Sequence, residues 1–163
     1  MRYFKSAVLV LLFFACTPLK KEGSEEGTIE SLETQSKIKL AKLEGESINL
    51  SALNEEILIL NIWATWCKPC VAEMPSLVEM KNALPGNMKL LLASDEPTDR
   101  QLNFIAKKEY DLEFVQLKSS LSSLGVYVLP TTIIVKNGEI VDRLVGAREW
   151  NTPKQIEELK AYL

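Results

Sequence analysis

Residues 57–62, ILILNI, are apolar at every position but one, and five residues after Ile62 the chain reaches Cys67-Lys68-Pro69-Cys70. A run that is apolar on both side-chain parities predicts a strand buried on both faces, the central strand of a covered sheet. A helix is expected to begin near Cys67, because Pro69 then falls in its first turn, where a missing N–H costs nothing. Val71, Met74, Leu77 and Val78 would form the inward stripe of that helix. A buried strand that runs directly into a helix with two cysteines in its first turn restricts the fold more than any other feature of the chain.

That placement has chemical consequences. A thiol at a helix N-terminus feels unpaired N–H groups and the positive end of the helix dipole, and both favour thiolate. Lys68 acts in the same direction. Cys70 is close enough to close a small disulfide with Cys67, so the first cysteine can attack a foreign disulfide and the second can resolve the mixed one. Three other roles compete. A structural staple would contribute only about 2 kcal/mol across so short a loop. Zinc normally takes four ligands, and two cysteines leave it short. Copper(I) carriage is the best non-enzymatic alternative, since two thiolates and Met74 are soft ligands.

The chain contains no histidine. Cys-His and Ser-His nucleophile pairs, histidine general bases and histidine zinc ligands are therefore excluded. The formal net charge of -3 leaves no basic excess to neutralise phosphates, so no nucleic-acid partner is expected.

The rest of the body alternates strand and helix signals. Residues 38–43 and 47–50 read as a β-hairpin around Glu44-Gly45, and residues 88–93 as a second buried strand. A helix is expected over residues 98–109 with Leu102, Ile105 and Ala106 facing in, then a short strand at 112–115 and a helical turn at 119–124. Asn137-Gly138 between two strand-like runs signals a tight hairpin of the type I′ class. Thr152-Pro153 opens a last helix with Ile156, Leu159 and Leu163 on one side. The order implies an α/β fold with a mixed central sheet flanked by helices.

The N-terminus reads as an address. Arg2 and Lys5 precede nine apolar residues, 7–15, too few for the roughly twenty that span a bilayer. The segment ends Phe13-Phe14-Ala15-Cys16, which resembles a bacterial lipobox. That resemblance implies cleavage before Cys16 and lipid on its sulfur. Three segments are expected: a lipoprotein signal peptide at 1–15, a lipidated Cys16 with a flexible tether at 16–36, and one folded domain at 37–163. Loss of the leader leaves 17 positive against 22 negative charges, a net -5, so acyl chains rather than charge would hold the protein at a membrane. Thr17 is compatible with outer-membrane sorting.

The run WATWCKPCVAEMPSL, together with Leu129-Pro130-Thr131-Thr132 ahead of the Asn137-Gly138 hairpin, resembles the TlpA/ResA-like thiol–disulfide oxidoreductases, a membrane-tethered branch of the thioredoxin superfamily. The resemblance covers residues 37–163. It implies a thioredoxin-like fold with an N-terminal β-hairpin extension, an exposed nucleophile at Cys67 and a resolving Cys70. Pro130 would be cis, presenting the Leu129 backbone to an extended substrate.

Glu73 matches the active-site glutamate of ResA-type members. From position alone it lies one turn after Cys70, and if buried its pKa would rise, suiting it to proton transfer; the alternative is a solvated helix residue. Asn61 stands where plain thioredoxins carry a buried acid. Pro75 is structural, Trp66, Lys68 and Pro69 would contact substrate, Trp63 belongs to the core, and Trp150 serves packing alone. The resemblance further implies a monomer that works without a cofactor or metal. It would reduce client disulfides such as the CxxCH pair of apocytochrome c, and a membrane thiol reductant would recharge it. A peroxiredoxin-type peroxidase needs Thr-x-x-Cys, and Thr65 is two positions before Cys67, so that spacing fails.

Overall fold

The computed structural model describes residues 37–53 and 55–163. Readings of the leader, Cys16, Thr17 and the tether lie outside the described residues. Seven strands, β1 (Leu40–Ala41), β2 (Ser47–Ile48), β3 (Ile57–Ile62), β4 (Met88–Ser94), β5 (Phe114–Leu117), β6 (Thr131–Lys136) and β7 (Glu139–Val145), form one mixed sheet in the order β2-β1-β5-β4-β3-β6-β7. Among the described residues the helices are α1 (Lys68–Ala83), α2 (Thr98–Lys108) and α3 (Pro153–Lys160), with 3-10 turns at Leu50–Ala52 and Ser122–Leu124.

The apolar run on β3 decides the centre of the sheet. All six of its residues are buried, with β4 parallel on one side and β6 antiparallel on the other. Ile57 and Ile59 face a core that takes Met74, Leu77 and Met80 from α1 and Leu159 from α3. Leu58, Leu60 and Ile62 face a second core shared with Leu91, Ile133 and Leu124. Each such side chain contributes about 1.5–3 kcal/mol by leaving water. Among the described residues every side chain of an α-helix in these two cores, the half-buried Phe104 and Ile105 of α2 included, belongs to the first. The second is closed by the β1–β2 hairpin and by residues around 121–126.

The β6–β7 connection is the tight turn expected, with positive φ at Asn137 (52°) and Gly138 (82°), the pattern a type I′ turn requires. Several elements differ from the sequence reading: β2 stops at Ile48 and Leu50 opens a 3-10 turn, and Leu163 lies beyond the end of α3 and is exposed. Strand β5 lies at Phe114–Leu117, two residues later than expected. Helix α2 occupies the expected span but is rotated: Leu102 and Ala106 are exposed, and Gln101 is fully buried beside half-buried Phe104 and Ile105. The reason is hydrogen bonding. The two N–H groups of Gln101 Nε2 serve Glu96 O at 2.9 Å and Gln116 Oε1 at 3.0 Å, with Ser94 O at 3.3 Å sharing one of them, so the buried amide ties the end of β4 to β5. An apolar side chain at that position would take this donor from Glu96 O and Gln116 Oε1.

Candidate active site

The redox motif sits where β3 hands over to α1. Trp63 continues the strand, with its N–H bonded to Ala93 O at 3.1 Å, and its fully buried ring packs against Phe104 and Phe114 at centroid distances of 5.1 and 5.2 Å. A turn follows, closed by Cys67 N–H to Ala64 O at 3.0 Å. Cys67 is the N-cap of α1, with Pro69 in the first turn and Pro75 inside the helix.

Cys67 and Cys70 are joined in a disulfide, Cα–Cα 5.3 Å, and Cys67 Sγ accepts the Cys70 N–H at 3.3 Å. Cys67 is only 4% exposed, which corrects the expectation of an exposed first cysteine. As the N-cap, its side chain folds back over the first helical turn, and the surface of its sulfur is taken up by Cys70. The exposed surface beside the disulfide belongs instead to Trp66, at 67%, and to Lys68 and Pro69.

The Leu129–Pro130 peptide bond is cis. Pro130 is buried, its carbonyl accepting from Gly146 N–H at 2.9 Å, and Val128 O accepts from Thr131 Oγ1 at 2.7 Å. Half-buried Leu129 packs against both cores, including the one that holds the two cysteines. Its own N–H and C=O have no hydrogen-bond partner among the described residues. Tyr127 and Val128, just before it, are exposed at 82% and 56%. The sequence reading passed over both, although the signal was an apolar pair next to a proline.

Glu73 is 4% exposed, so it is not a solvated helix residue. Its Oε1 accepts from Asn61 Nδ2 at 2.8 Å, and its Oε2 accepts from Trp150 Nε1 at 2.9 Å and Arg148 N–H at 3.1 Å. Burial pushes its carboxyl above the usual carboxylate range, and these three donors, with the Arg148 charge, pull it back only part of the way. Asn61 Nδ2 also reaches Thr132 Oγ1 at 3.0 Å, tying β3 to β6 behind the motif. Trp150 does more than pack, contrary to the sequence reading. It is fully buried, its indole N–H holds Glu73, and its backbone N–H bonds Ser76 Oγ at 3.2 Å.

A second buried carboxylate flanks the motif on its other side. Glu96, 7% exposed, accepts from Thr65 N–H at 2.5 Å through Oε2 and from Thr65 Oγ1 at 3.0 Å through Oε1. Arg100 NH1 approaches the same Oε1 at 3.3 Å. Nothing in the sequence marked it. Among the described residues no three His, Cys, Asp or Glu side chains gather to hold a metal ion, and no helix is long and apolar enough to cross a membrane.

This fold, with a CxxC disulfide capping the first long helix, defines a thioredoxin-like protein of dithiol chemistry. Residues 33–143 match the AhpC/TSA family, and the chain belongs to that family. Its relatives are more particular. The thiol-disulfide oxidoreductase ResA of Bacillus cereus strain ZK / E33L is 36% identical over 71% of this chain and 68% of its own length. ResA of Bacillus cereus strain ATCC 10987 / NRS 248 is 31% identical over 95% of this chain and 92% of its own. Among solved structures, StoA from Bacillus subtilis aligns with TM-score 0.58 at 22% identity, covering 76% of this chain and 93% of that one. The pneumococcal exposed lipoprotein thioredoxin from Streptococcus pneumoniae aligns at 0.61 and 20%, covering 77% and 98%. The chain is a thiol–disulfide oxidoreductase of the ResA-like kind.

Proposed function

We propose that this protein reduces disulfides of client proteins outside the cytoplasm, and that its favoured client is an apocytochrome c whose CxxCH cysteines must be reduced before they receive haem. The observation that carries the reading is the Cys67–Cys70 disulfide at the N-terminus of α1, edged by exposed Trp66 and lying in the core against which Leu129 packs. The relatives named ResA support thiol–disulfide exchange; the client is our own inference.

The cycle balances as two exchanges. A membrane dithiol reductant delivers two electrons and two protons, opening the Cys67–Cys70 bond and leaving its own disulfide. Cys67 thiolate, favoured by the helix N-terminus and Lys68, attacks one client sulfur; a Cys67–client bond forms and the other client sulfur leaves as thiolate. Cys70, deprotonated, then attacks Cys67 Sγ, re-forming the internal disulfide and releasing the second client sulfur. In this reading Glu73, whose burial holds its proton more tightly than an ordinary carboxylate, takes the Cys70 proton. Pro130 orients the client strand, which pairs with the free Leu129 backbone, while Trp66, Lys68, Pro69, Tyr127 and Val128 contact it. No further cofactor takes part. The protein is exported by residues 1–15, anchored through lipid on Cys16, and acts as a monomer.

The test is the reduction potential of Cys67/Cys70 in the chain from Thr17 onward, equilibrated in defined thiol buffers. A value near that of thioredoxin, about -270 mV, is expected. A value near -120 mV would make the protein an oxidant and reverse the proposed direction. Tight stoichiometric copper(I) binding by the reduced dithiol would move the reading to metal carriage.

A further inference from the structure

The geometry points to Glu96 as the residue that positions Cys67 for attack, acting through Thr65. The inference rests on the exchange reading above. Between the end of β3 at Ile62 and the N-cap at Cys67 the chain belongs to neither element, so its course depends on individual bonds. Trp63 is held by the ladder to Ala93, and Cys67 N–H closes onto Ala64 O. Thr65 lies between them, and both of its hydrogen-bond donors, N–H and hydroxyl, end on the Glu96 carboxylate at 2.5 and 3.0 Å.

The carboxylate is itself anchored. Glu96 N–H donates to Ser94 Oγ at 3.2 Å, and Glu96 O accepts from Gln101 Nε2 at 2.9 Å. Gln101 in turn reaches Gln116 Oε1 on β5 at 3.0 Å. The position of the turn before Cys67 is thus set by β4, α2 and β5 together, through one buried side chain. Thiol–disulfide exchange needs the attacking sulfur in line with the sulfur–sulfur bond it breaks. A displacement of about 1 Å costs on the order of 100-fold when orientation carries the rate. Removing the Glu96 acceptor frees Thr65, widens the range of Ala64–Trp66 conformations and spreads the positions open to Cys67 Sγ and the exposed Trp66 ring.

Glu96 could instead be a plain staple between β4 and α2, and the test separates the two. Full-length reduced protein carrying Cys16→Ser is prepared with Glu96 intact (the wild-type reference), as Glu96→Ala and as Glu96→Gln, and Cys67 is read by its rate of attack on a small aromatic disulfide and by iodoacetamide alkylation assigned to Cys67 by peptide mass. Thermal unfolding of each is recorded alongside. Glu96→Ala is expected to slow attack about tenfold, and Glu96→Gln, which keeps one oxygen acceptor at the same reach, to recover at least a third of the wild-type rate. Attack by Glu96→Ala within twofold of wild type, whatever its melting temperature, would overturn the proposal. Should Glu96→Ala fail to fold, Thr65→Ala decides in its place: it removes the hydroxyl that Glu96 accepts, attack slowed more than twofold supports positioning, and a rate within twofold of wild type refutes it. Alkylation reads Cys67 even if the wild-type protein reduces no protein disulfide. In that case the proposed function falls while the positioning question is still answered.

Discussion

The two buried glutamates beside the redox motif differ in what holds them. Glu73 sits one turn after Cys70 and is gripped by three N–H donors, from Asn61, Arg148 and Trp150, with no cation in direct contact. Glu96 precedes the motif in space and is met by a backbone N–H, a hydroxyl and the Arg100 guanidinium. At Glu73 desolvation outweighs the donors, and the carboxyl keeps its proton more readily than in water. At Glu96 two of the three contacts, an N–H and a hydroxyl, come from one residue, Thr65, in the turn before Cys67. Burial of a carboxylate therefore does not define its work; the character of its partners does.

Four measurements would break or sharpen that contrast. Trp150→Ala should have the largest effect, about 3–5 kcal/mol lost in urea unfolding, because it empties a fully buried indole site and strips a donor from Glu73. A loss below about 1 kcal/mol would mean the Trp150 clamp is dispensable.

Trp150→Phe isolates the donor. It should cost about 1–2 kcal/mol and raise the Glu73 pKa further, followed by carboxyl NMR or infrared titration. A fall in that pKa would contradict the assigned hydrogen bond.

Glu73→Gln should have a smaller effect that depends on pH. Because the folded carboxyl titrates above its ordinary value of 4.5, its protonation favours the native state. That contribution is complete below the unfolded pKa and is lost as pH rises through the folded one. Relative to wild type, Glu73→Gln should thus gain stability as pH climbs through this window and then level off. A constant difference from pH 4 to 8 would remove the raised carboxyl from the picture.

Arg100→Ala should matter least, within about 0.5 kcal/mol, since its side chain is 60% exposed and ion pairs in such settings contribute little. Exchange kinetics should stay at the wild-type rate. A tenfold loss would show that the Glu96 site depends on charge rather than on the Thr65 bonds.

Much of the frame was legible along the chain because its causes are local. The ILILNI run made β3 central, Pro69 marked the start of α1, and Asn137-Gly138 set the β6–β7 turn. Where periodicity was the sole guide, reading was weaker. In α2, Leu102 and Ala106 are apolar by type but exposed, because the buried Gln101 amide bonds Glu96 O and, on β5, Gln116 Oε1. Glu73 was singled out by resemblance and by its spacing from Cys70, while its burial was decided elsewhere. Trp150 looked like filler, since its partner lies 77 positions away in the chain.

The sequence by itself determined which residues carry the chemistry: without histidine, and with two cysteines three apart at a strand-to-helix junction, the work falls on a thiol pair suited to exchange or to a soft metal, and the WATWCKPCVAEMPSL resemblance favours exchange. Only the tertiary structure decided how that chemistry is set. It folded the Cys67 sulfur inward, carried the Arg148–Trp150 turn onto Glu73, and brought Glu96 from the far end of β4 against Thr65. Hydrogen bonds between distant residues leave no period and no local propensity in a sequence. They exist only because the sheet places β3, β4 and β6 side by side and the elements that leave those strands come to meet at one edge.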